Sequence, residues 1–223
     1  TSADGVFWLT ASETTPNLYR VDPSLKSFEN RVAGNKALSF HEDKEGFLWI
    51  GFEETGLKKY DLSGKPLNIF THNLHDPFLN ANNPIFSIFE DQQQQDTLWL
   101  GTGTIIGLFN KKSGFASPFV YKENNNIDAS EIAFAETHQI IKGKAGVRWF
   151  ATLDGLIQYD PKNNLVKKYL PDAKKTGTIS STRITSVLED KNGYIWAGAF
   201  VGGGINRLDR QNAHFSQYLR GFN

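Results

Sequence analysis

The feature of this sequence that most limits its fold is the regular spacing of its tryptophans. The chain has 223 residues and five tryptophans, which lie 41, 50, 50 and 47 residues apart: Trp8, Trp49, Trp99, Trp149 and Trp196. A fixed period of about 40–50 residues is typical of repeat architectures in which each repeat is a small sheet. The spacing therefore predicts one sheet for each tryptophan.

The residues around each tryptophan predict a hairpin. A glycine lies three residues before four of the tryptophans, and Asp96 takes that place before Trp99. Such a position needs a residue that tolerates positive φ, as a tight turn requires. One apolar strand precedes the turn, and two further strands follow the tryptophan strand. We therefore expect four short strands in each repeat and almost no helix.

A four-stranded unit cannot bury both of its faces alone, whereas sheets stacked around an axis cover one another. Stacking explains why Phe47-Leu48-Trp49-Ile50 is apolar at consecutive positions instead of alternating. The sequence predicts an all-β fold, a β-propeller of four-stranded antiparallel blades. We expect the chain to form a single propeller domain, 1–223, with blades at 1–35, 36–82, 83–130, 131–181 and 182–223.

Composition excludes several classes of partner and chemistry. The chain carries 24 Lys and Arg against 24 Asp and Glu, so it lacks the cationic surplus that nucleic acids require. No apolar run approaches the ~20 residues of a membrane helix, so we expect no membrane contact by this segment. Cysteine is absent, which excludes disulfides, cysteine nucleophiles and thiolate metal sites.

The repeated motifs resemble those of a known family. The string Ile/Val-Phe-x-Glu-Asp, then x-Gly-x-Leu-Trp-Ile-Gly, then Gly-Leu-x-x-Tyr-Asp is similar to the two-component regulator propeller repeat, best at 37–71 and 183–219. The resemblance implies the periplasmic, ligand-sensing part of a membrane-bound bacterial signalling protein. It implies an output domain elsewhere in the full-length protein, a histidine kinase or a diguanylate cyclase, and a homodimeric receptor.

The same resemblance implies a ring of seven blades. We therefore expect the five blades to form part of a larger ring, cut at the N-terminal and the C-terminal end. The first copy starts at its tryptophan strand and lacks the strand before it. The fourth copy departs from the pattern, because Lys142-Gly143 replaces the Glu-Asp pair and the stretch 132–139 is irregular.

Paired carboxylates recur just before the predicted hairpin turn, at Glu42-Asp43, Glu90-Asp91 and Glu189-Asp190. Such pairs could act as general acid and base, but catalytic groups are normally unique and not repeated in every blade. An Asp at this place can accept backbone N–H bonds and initiate the turn. We interpret the pairs as structural and expect no catalytic residue.

Of the five histidines, only His72 and His75 are close in sequence, and Asp76 lies beside them, so this group could in principle hold a metal. They lie in a connection between blades, where solvated histidines are far more common than ligands. We expect no metal and no cofactor.

The long loops are the expected functional surface. Loops between the second and third strands of each blade should lie on the same side as the connections between blades. They are rich in Asn, Asp, Thr and aromatic residues, which suits a small polar ligand or an oligosaccharide. The connections are 72–84, 121–130 and 170–182. The candidate ligand-binding residues are Phe52, Glu53, Glu54, Asp154, Arg183 and Phe200.

Two functions remain open. The first is a non-catalytic sensor, and the second is a propeller hydrolase or lyase acting on a polar substrate such as a carbohydrate. An enzyme should have several unique acids or histidines at the start of its innermost strands, where this chain has Ser87, Thr185 and Ser186. The sequence favours the sensor.

Overall fold

The structure is a computed structural model. It describes residues 7–11, 17–21, 28–33, 36–61, 63–70, 83–91, 93–94, 96–120, 122–123 and 136–218. The side chains of 7–11, 17–21, 28–33, 69 and 122–123 lie outside this description.

The described residues form five sheets. Sheet 1 contains β1 (Phe7–Ala11), β2 (Asn17–Val21) and β3 (Phe28–Ala33). Sheet 2 contains β4 (Ala37–Glu42), β5 (Leu48–Phe52), β6 (Leu57–Tyr60) and β7 (Pro66–Phe70). Sheet 3 contains β8 (Ile85–Glu90), β9 (Thr97–Thr102), β10 (Ile106–Asn110) and β11 (Ala116–Pro118).

The remaining strands belong to two further sheets. Sheet 4 contains β13 (Thr137–Lys142), β14 (Arg148–Thr152), β15 (Gly155–Asp160) and β16 (Leu165–Tyr169), and β12 (Lys122–Glu123) pairs parallel with β16. Sheet 5 contains β17 (Ile184–Glu189), β18 (Ile195–Ala199), β19 (Ile205–Asp209) and β20 (His214–Tyr218). The only helical turn among the described residues is a 3₁₀ turn at Lys144–Gly146, which confirms the all-β prediction.

Two compact units divide the chain. Unit 1 comprises residues 1–102 and 107–117, and it contains sheets 1 and 2 and most of sheet 3. Unit 2 comprises residues 103–106 and 118–223, and it contains sheets 4 and 5. The blade boundaries drawn from the sequence remain predictions, and β12 pairs with sheet 4 although it lies inside the span expected for the third blade.

An aspartate organises the turn between the first two strands of a sheet. Asp43 Oδ1 accepts hydrogen bonds from the backbone N–H groups of Glu45 and Phe47, each at 3.0 Å. Asp190 Oδ1 does the same for Asn192 and Tyr194 at 2.8 and 3.1 Å. The glycine of each turn has positive φ, +87° at Gly193, as the sequence pattern requires. These contacts agree with the structural interpretation of the Glu-Asp pairs.

The first strand of sheets 2 to 5 contains a β-bulge that sequence reasoning did not identify. The pairing with the tryptophan strand shifts between residues 37 and 39, 85 and 87, 137 and 139, and 184 and 186. In sheet 2 the extra residue is Leu38, and Ser39 after it pairs with Gly51, where any Cβ would collide with the Ser39 hydroxyl. The bulge therefore explains why a glycine follows the tryptophan by two residues there.

Stacked sheets bury most of the tryptophans. Trp49, Trp99 and Trp149 are at most 1% exposed. Within unit 1, Trp49 stacks on Phe70 of its own sheet at 5.6 Å and meets Phe109 of sheet 3 edge-on at 5.5 Å between ring centroids. Within unit 2, Trp149 stacks on Tyr169 at 5.9 Å. Stacked blades predict burial of Trp49, Trp99, Trp149 and Trp196 alike, and the first three meet this expectation.

Trp196 corrects that expectation, because it is only partly buried. Its ring stacks on Tyr218 of the same sheet at 5.7 Å, and Leu188 and Ile205 beside it are 60% and 51% exposed. The side chain of Trp8 lies outside the described residues.

Candidate functional site

The aspartate that organises each turn also accepts a hydrogen bond from the tryptophan indole, through its second carboxylate oxygen. Asp43 Oδ2 accepts from Trp49 Nε1 at 2.7 Å, and Asp190 Oδ2 accepts from Trp196 Nε1 at 2.8 Å. Sheet 3 obtains the same contact from a different residue, since Trp99 Nε1 donates to Gln94 Oε1 at 2.8 Å. The aspartate is thus engaged by its own turn and its own indole.

The glutamate of the pair contacts the preceding sheet. Glu90 Oε2 accepts from the backbone N–H of Lys44 at 3.1 Å, and Glu189 Oε2 accepts from that of Lys144 at 2.6 Å. Each bond spans one repeat, 46 and 45 residues. The glutamate of the pair therefore links two consecutive sheets inside each unit by a hydrogen bond. The sequence analysis did not predict this role.

A buried ammonium completes this junction in unit 1. Lys111 Nζ lies 2.7 Å from Glu90 Oε1 and 3.3 Å from Asp43 Oδ2, and all three side chains are at most 7% exposed. Burial acts to raise the pKa of Asp43, but the hydrogen bonds from Trp49 and Phe47 and the Lys111 charge outweigh it. The pKa of Asp43 therefore lies below its ordinary value.

The same balance acts on the two partners. Burial acts to raise the pKa of Glu90, yet the Lys111 ammonium and the Lys44 N–H bring it below its ordinary value. Burial acts to lower the pKa of Lys111, but Glu90 and Asp43 raise it. All three groups are held charged and in contact, which describes a structural ion cluster rather than a proton-transfer pair.

The equivalent junction of unit 2 lacks the aspartate. Gly143 occupies its place, and the buried Trp149 Nε1 has no hydrogen-bond partner among the residues that the structure describes. Arg210 NH1 contacts Glu189 Oε1 at 3.3 Å, and its guanidinium lies 5.9 Å from the centre of the Trp149 ring. The departure in the fourth copy thus removes the acceptor that this indole N–H has in sheets 2 and 5.

On the opposite edge of unit 2, three loops come together. Gly155 N donates to Thr182 O at 2.6 Å, and Phe200 N donates to Arg183 O at 2.8 Å. Ser180 Oγ donates to Gly203 O at 2.5 Å. These bonds bring the loop after β14, the loop after β18 and the connection 170–183 to one surface, which we call the loop face of unit 2.

Three of the predicted site residues lie on this face. The Arg183 guanidinium lies 4.8 Å from the centre of the Phe200 ring, and Phe200 is 46% exposed. Asp154 Oδ2 pairs with Lys168 Nζ at 3.2 Å. The structure therefore combines Arg183 and Phe200 into a cation–π pair open to solvent and places Asp154 on the neighbouring loop.

A shallow depression lies on the connection 170–182, which the sequence predicted as part of the functional surface. Its walls come from the connection 170–183, the glycine loop and the end of β20: Pro171, Asp172, Ala173, Lys175, Thr178, Ile179, Ser180, Gly202, Gly203 and Gln217. Asn206 fixes Ser180 by two bonds of 2.9 Å. The Lys174 N–H and the Lys175 ammonium lower the pKa of Asp172. The sequence feature that could have indicated this depression is the run Gly202-Gly203-Gly204, which follows the exposed Phe200.

The predicted residues of unit 1 divide into two groups. Glu53 pairs with Lys36 at 3.0 Å, and Glu54 is exposed. Phe52 has no exposed surface, because it ends β5 and packs in the core of sheet 2 with Leu48 and Ile50. Phe52 is therefore a core residue and offers no surface to a ligand.

Several predictions concern residues outside the described part of the chain. The connection 72–84 is described only at 83–84, and 121–130 only at 122–123, so His72, His75 and Asp76 lie outside it. Within the described ranges, no group of three or more His, Asp or Glu side chains is arranged to hold a metal. No helix there has the length and apolarity needed to cross a bilayer.

Comparison of the sequence with protein families gives one match. Residues 178–200 match the family described as two component regulator propeller, which confirms the resemblance drawn from the motifs. The matched segment carries β17, its Glu189-Asp190 turn and β18, and it begins and ends on the loop face. No curated protein matches the sequence.

Comparison of the structure with solved structures finds several proteins that resemble almost the whole chain. The extracellular domain of a protein described as a hybrid two component system, from B. thetaiotaomicron, has a TM-score of 0.73 and 16% identity, covering 97% of this chain and 28% of the other. Virginiamycin B lyase from Staphylococcus aureus has a TM-score of 0.63 and 14% identity, covering 100% of this chain and 72% of the lyase. A streptogramin B lyase has a TM-score of 0.65 and 15% identity, covering 98% and 66%.

At these identities the likeness concerns the fold. It confirms the predicted β-propeller architecture of four-stranded antiparallel blades. This chain spans less than a third of the two-component relative's length.

Proposed function

We propose that this chain is an extracytoplasmic, ligand-sensing part of a membrane-bound bacterial signalling protein, and that it is not itself a catalyst. The observation that carries the proposal is the matched segment 178–200, which runs from the rim of the depression to the exposed Arg183–Phe200 pair. The likeness to an extracellular domain of a two component system supports the same class.

The loop face favours a polar ligand with a flat apolar side, such as an oligosaccharide. An exposed aromatic ring offers stacking surface, and Arg183 supplies several N–H donors in a fixed plane. Ser180, Asp172 and Gln217 add hydrogen-bonding groups next to it. Backbone and side-chain bonds hold the connection 170–183 against sheet 5, so little ordering should oppose binding.

Signalling by such a module requires that the ligand bind two arrangements of the receptor unequally. We propose a homodimeric receptor whose subunit arrangement changes when the loop face is occupied. The output would come from a histidine kinase or a diguanylate cyclase domain in the full-length protein.

The test is a binding screen of the chain against neutral and acidic oligosaccharides, read by thermal shift and calorimetry. At least one class should bind, and Phe200→Ala and Arg183→Ala should each weaken that binding at least about tenfold. Phe115→Ala is the matched control, because Phe115 is also an exposed aromatic residue, at 65%, but lies in unit 1. Binding that survives both loop-face changes would contradict the proposed site.

The same samples separate a sensor from an enzyme. A sensor returns its ligand unchanged after long incubation, whereas a hydrolase or lyase converts it. Chromatography that shows steady product formation, abolished by loop-face substitutions, would replace the sensor with the enzyme.

A further inference from the structure

Sheets 2, 4 and 5 share one backbone contact at the start of their first strand. The residue after the tryptophan strand donates its N–H to the carbonyl of the residue before the first strand: Glu53 to Lys36 at 2.9 Å, Leu153 to Glu136 at 3.1 Å and Phe200 to Arg183 at 2.8 Å. The side chains at these two places are therefore equivalent in the three sheets and can be compared directly.

The two equivalent places carry an ion pair in sheet 2 but not in sheet 5. Lys36 Nζ lies 3.0 Å from Glu53 Oε1, so the cation is neutralised by its own sheet. In sheet 5 the Phe200 ring takes the place of that carboxylate, and the exposed Arg183 guanidinium lies 4.8 Å from the centre of the ring. No carboxylate among the described residues pairs with Arg183. Its charge is therefore available to a ligand.

The described carboxylates on or beside the loop face of unit 2 are already paired. Each contacts a basic side chain: Glu136 with His138 at 3.2 Å, Asp154 with Lys168 at 3.2 Å, and Asp172 with Lys175 at 3.1 Å. An anion that approaches this face therefore meets carboxylates whose charge is balanced nearby and a guanidinium whose charge is not.

Apolar side chains follow directly on this cation. Phe200 is 46% exposed and Val201 is 81% exposed. Val201 has a φ of +40°, in the left-handed region that a β-branched residue rarely adopts. Such backbone strain persists only where the surrounding structure maintains it, and it is concentrated at ligand sites. The loop thus presents a ring and a branched side chain to solvent beside Arg183.

We propose that the ligand of the loop face is an acidic oligosaccharide whose sugar rings carry carboxylates. This inference rests on the proposed function, because it names the class of ligand for the same site. A cation–π contact requires no hydrogen bond from the guanidinium, so the N–H donors of Arg183 can bind a carboxylate through two parallel bonds. The C–H face of the same sugar packs on Phe200, and Val201 extends that apolar contact.

The test measures binding by calorimetry to matched pairs of oligosaccharides. Uronate oligomers from pectin, alginate and glucuronoxylan are each compared with their carboxyl-reduced form, which differs only in the acid group. At least one uronate oligomer should bind at least about tenfold more tightly than its reduced form, because a hydrogen bond to a charged group is worth more than one to a neutral group.

Substitution of single cations locates the carboxylate. Arg183→Gln should abolish the preference for the uronate oligomer. Lys174→Gln is the matched control, because it removes an exposed cation of the same connection whose side chain does not line the depression. That variant should retain the preference.

Two substitutions of Phe200 use the comparison with sheet 2. Phe200→Glu recreates the pair that Lys36 and Glu53 form, so it should occupy Arg183 and abolish the preference for uronate. Phe200→Gln also removes the ring but leaves the guanidinium unpaired. Binding should be weaker in Phe200→Gln than in the wild type, but the preference for uronate should remain.

The outcomes separate this inference from the proposed function. Equal binding of the acidic and reduced oligomers, lost in Phe200→Ala, would overturn the acidic ligand and leave the sensing site standing. A uronate preference that is unchanged in Arg183→Gln would also overturn the inference. Binding of no probe that depends on Phe200, neutral oligosaccharides included, would overturn the inference and the proposed function together.

Discussion

The junction between sheets 2 and 3 and that between sheets 4 and 5 share one plan but differ in one carboxylate and in the cation beside it. Between sheets 2 and 3, Asp43 accepts from Trp49 Nε1 and contacts Lys111, which also contacts Glu90. Between sheets 4 and 5, Gly143 replaces the aspartate, and no described residue offers an acceptor to Trp149 Nε1. The aromatic packing is retained in both.

This comparison distinguishes the contribution of apolar burial from that of hydrogen bonds and charge pairs. Both tryptophans are fully buried, so apolar burial alone suffices to seat the indole. The aspartate adds an acceptor for a buried donor and a counter-charge for a buried lysine, and both are costly to leave alone. The first junction is therefore expected to be firmer and more sensitive to acid than the second.

The largest expected effect comes from removing the shared packing. Trp149→Ala should reduce the free energy of unfolding by about 4 kcal/mol, since it empties a large buried site. Trp196→Ala should cost about 2 kcal/mol, because that ring is partly exposed. Urea unfolding followed by circular dichroism measures both, and equal losses would contradict the stacked-sheet account.

Removing the aspartate comes next. Asp43→Ala leaves Trp49 Nε1 without an acceptor and Lys111 with one fewer counter-charge, at a cost of about 3 kcal/mol. Asp43→Asn removes the charge and keeps one acceptor oxygen, which can serve either the turn N–H groups or the Trp49 indole but not both. Its loss should therefore be smaller than that of Asp43→Ala. If both variants unfold at the same urea concentration as the wild type, the junction does not depend on this cluster.

Acid should loosen the first junction. The pKa values of Asp43 and Glu90 lie below their ordinary values in the folded chain, so each contributes stability that is fully present above the unfolded pKa of about 4. That contribution is lost as pH falls from this value through the folded pKa. Unfolding measured across this range should show a shallower pH slope in Asp43→Asn than in the wild type, and identical slopes would refute the assignment.

The smallest effect should come from restoring the missing carboxylate. Gly143→Asp offers Trp149 Nε1 an acceptor, which should add about 1 kcal/mol once the Glu189 side chain moves aside. Gly143 has φ of −87°, so an L-residue fits its backbone. Gly143→Ala is the control, since its methyl group meets Glu189 and supplies no acceptor. If thermal unfolding shows that Gly143→Ala stabilises the chain as much as Gly143→Asp does, the hydrogen-bond explanation is excluded.

Much of the fold follows from local sequence. The tryptophan period, the glycine turns and the Asp before each turn predict the strands around Trp49 and Trp196, because each signal acts within a few residues. The departure at Lys142-Gly143 is also visible in the sequence.

Other features depend on contacts between distant residues. The hydrogen bond from the Lys44 N–H to Glu90 joins two sheets, and the bulge at Leu38 depends on pairing with a second strand. The Trp149 indole N–H has no acceptor among the described residues, although the sequence shows only that the aspartate is absent. Phe52 was predicted as a loop residue because it borders one, but it faces the core. Arg183 and Phe200 lie on two different loops. The sequence of each loop predicts that it is exposed, but it does not predict that the two side chains contact each other.

The most direct test of the sensing account is hydrogen–deuterium exchange of the chain with and without the oligosaccharide class found in the binding screen. The account predicts slower exchange in peptides that cover 170–183 and 199–204. Exchange should be unchanged at the opposite edge of sheet 5, in the turns that contain Asn192 and Gln211, which we call the turn edge. Protection confined to that turn edge, or none on the loop face at saturating ligand, would contradict it.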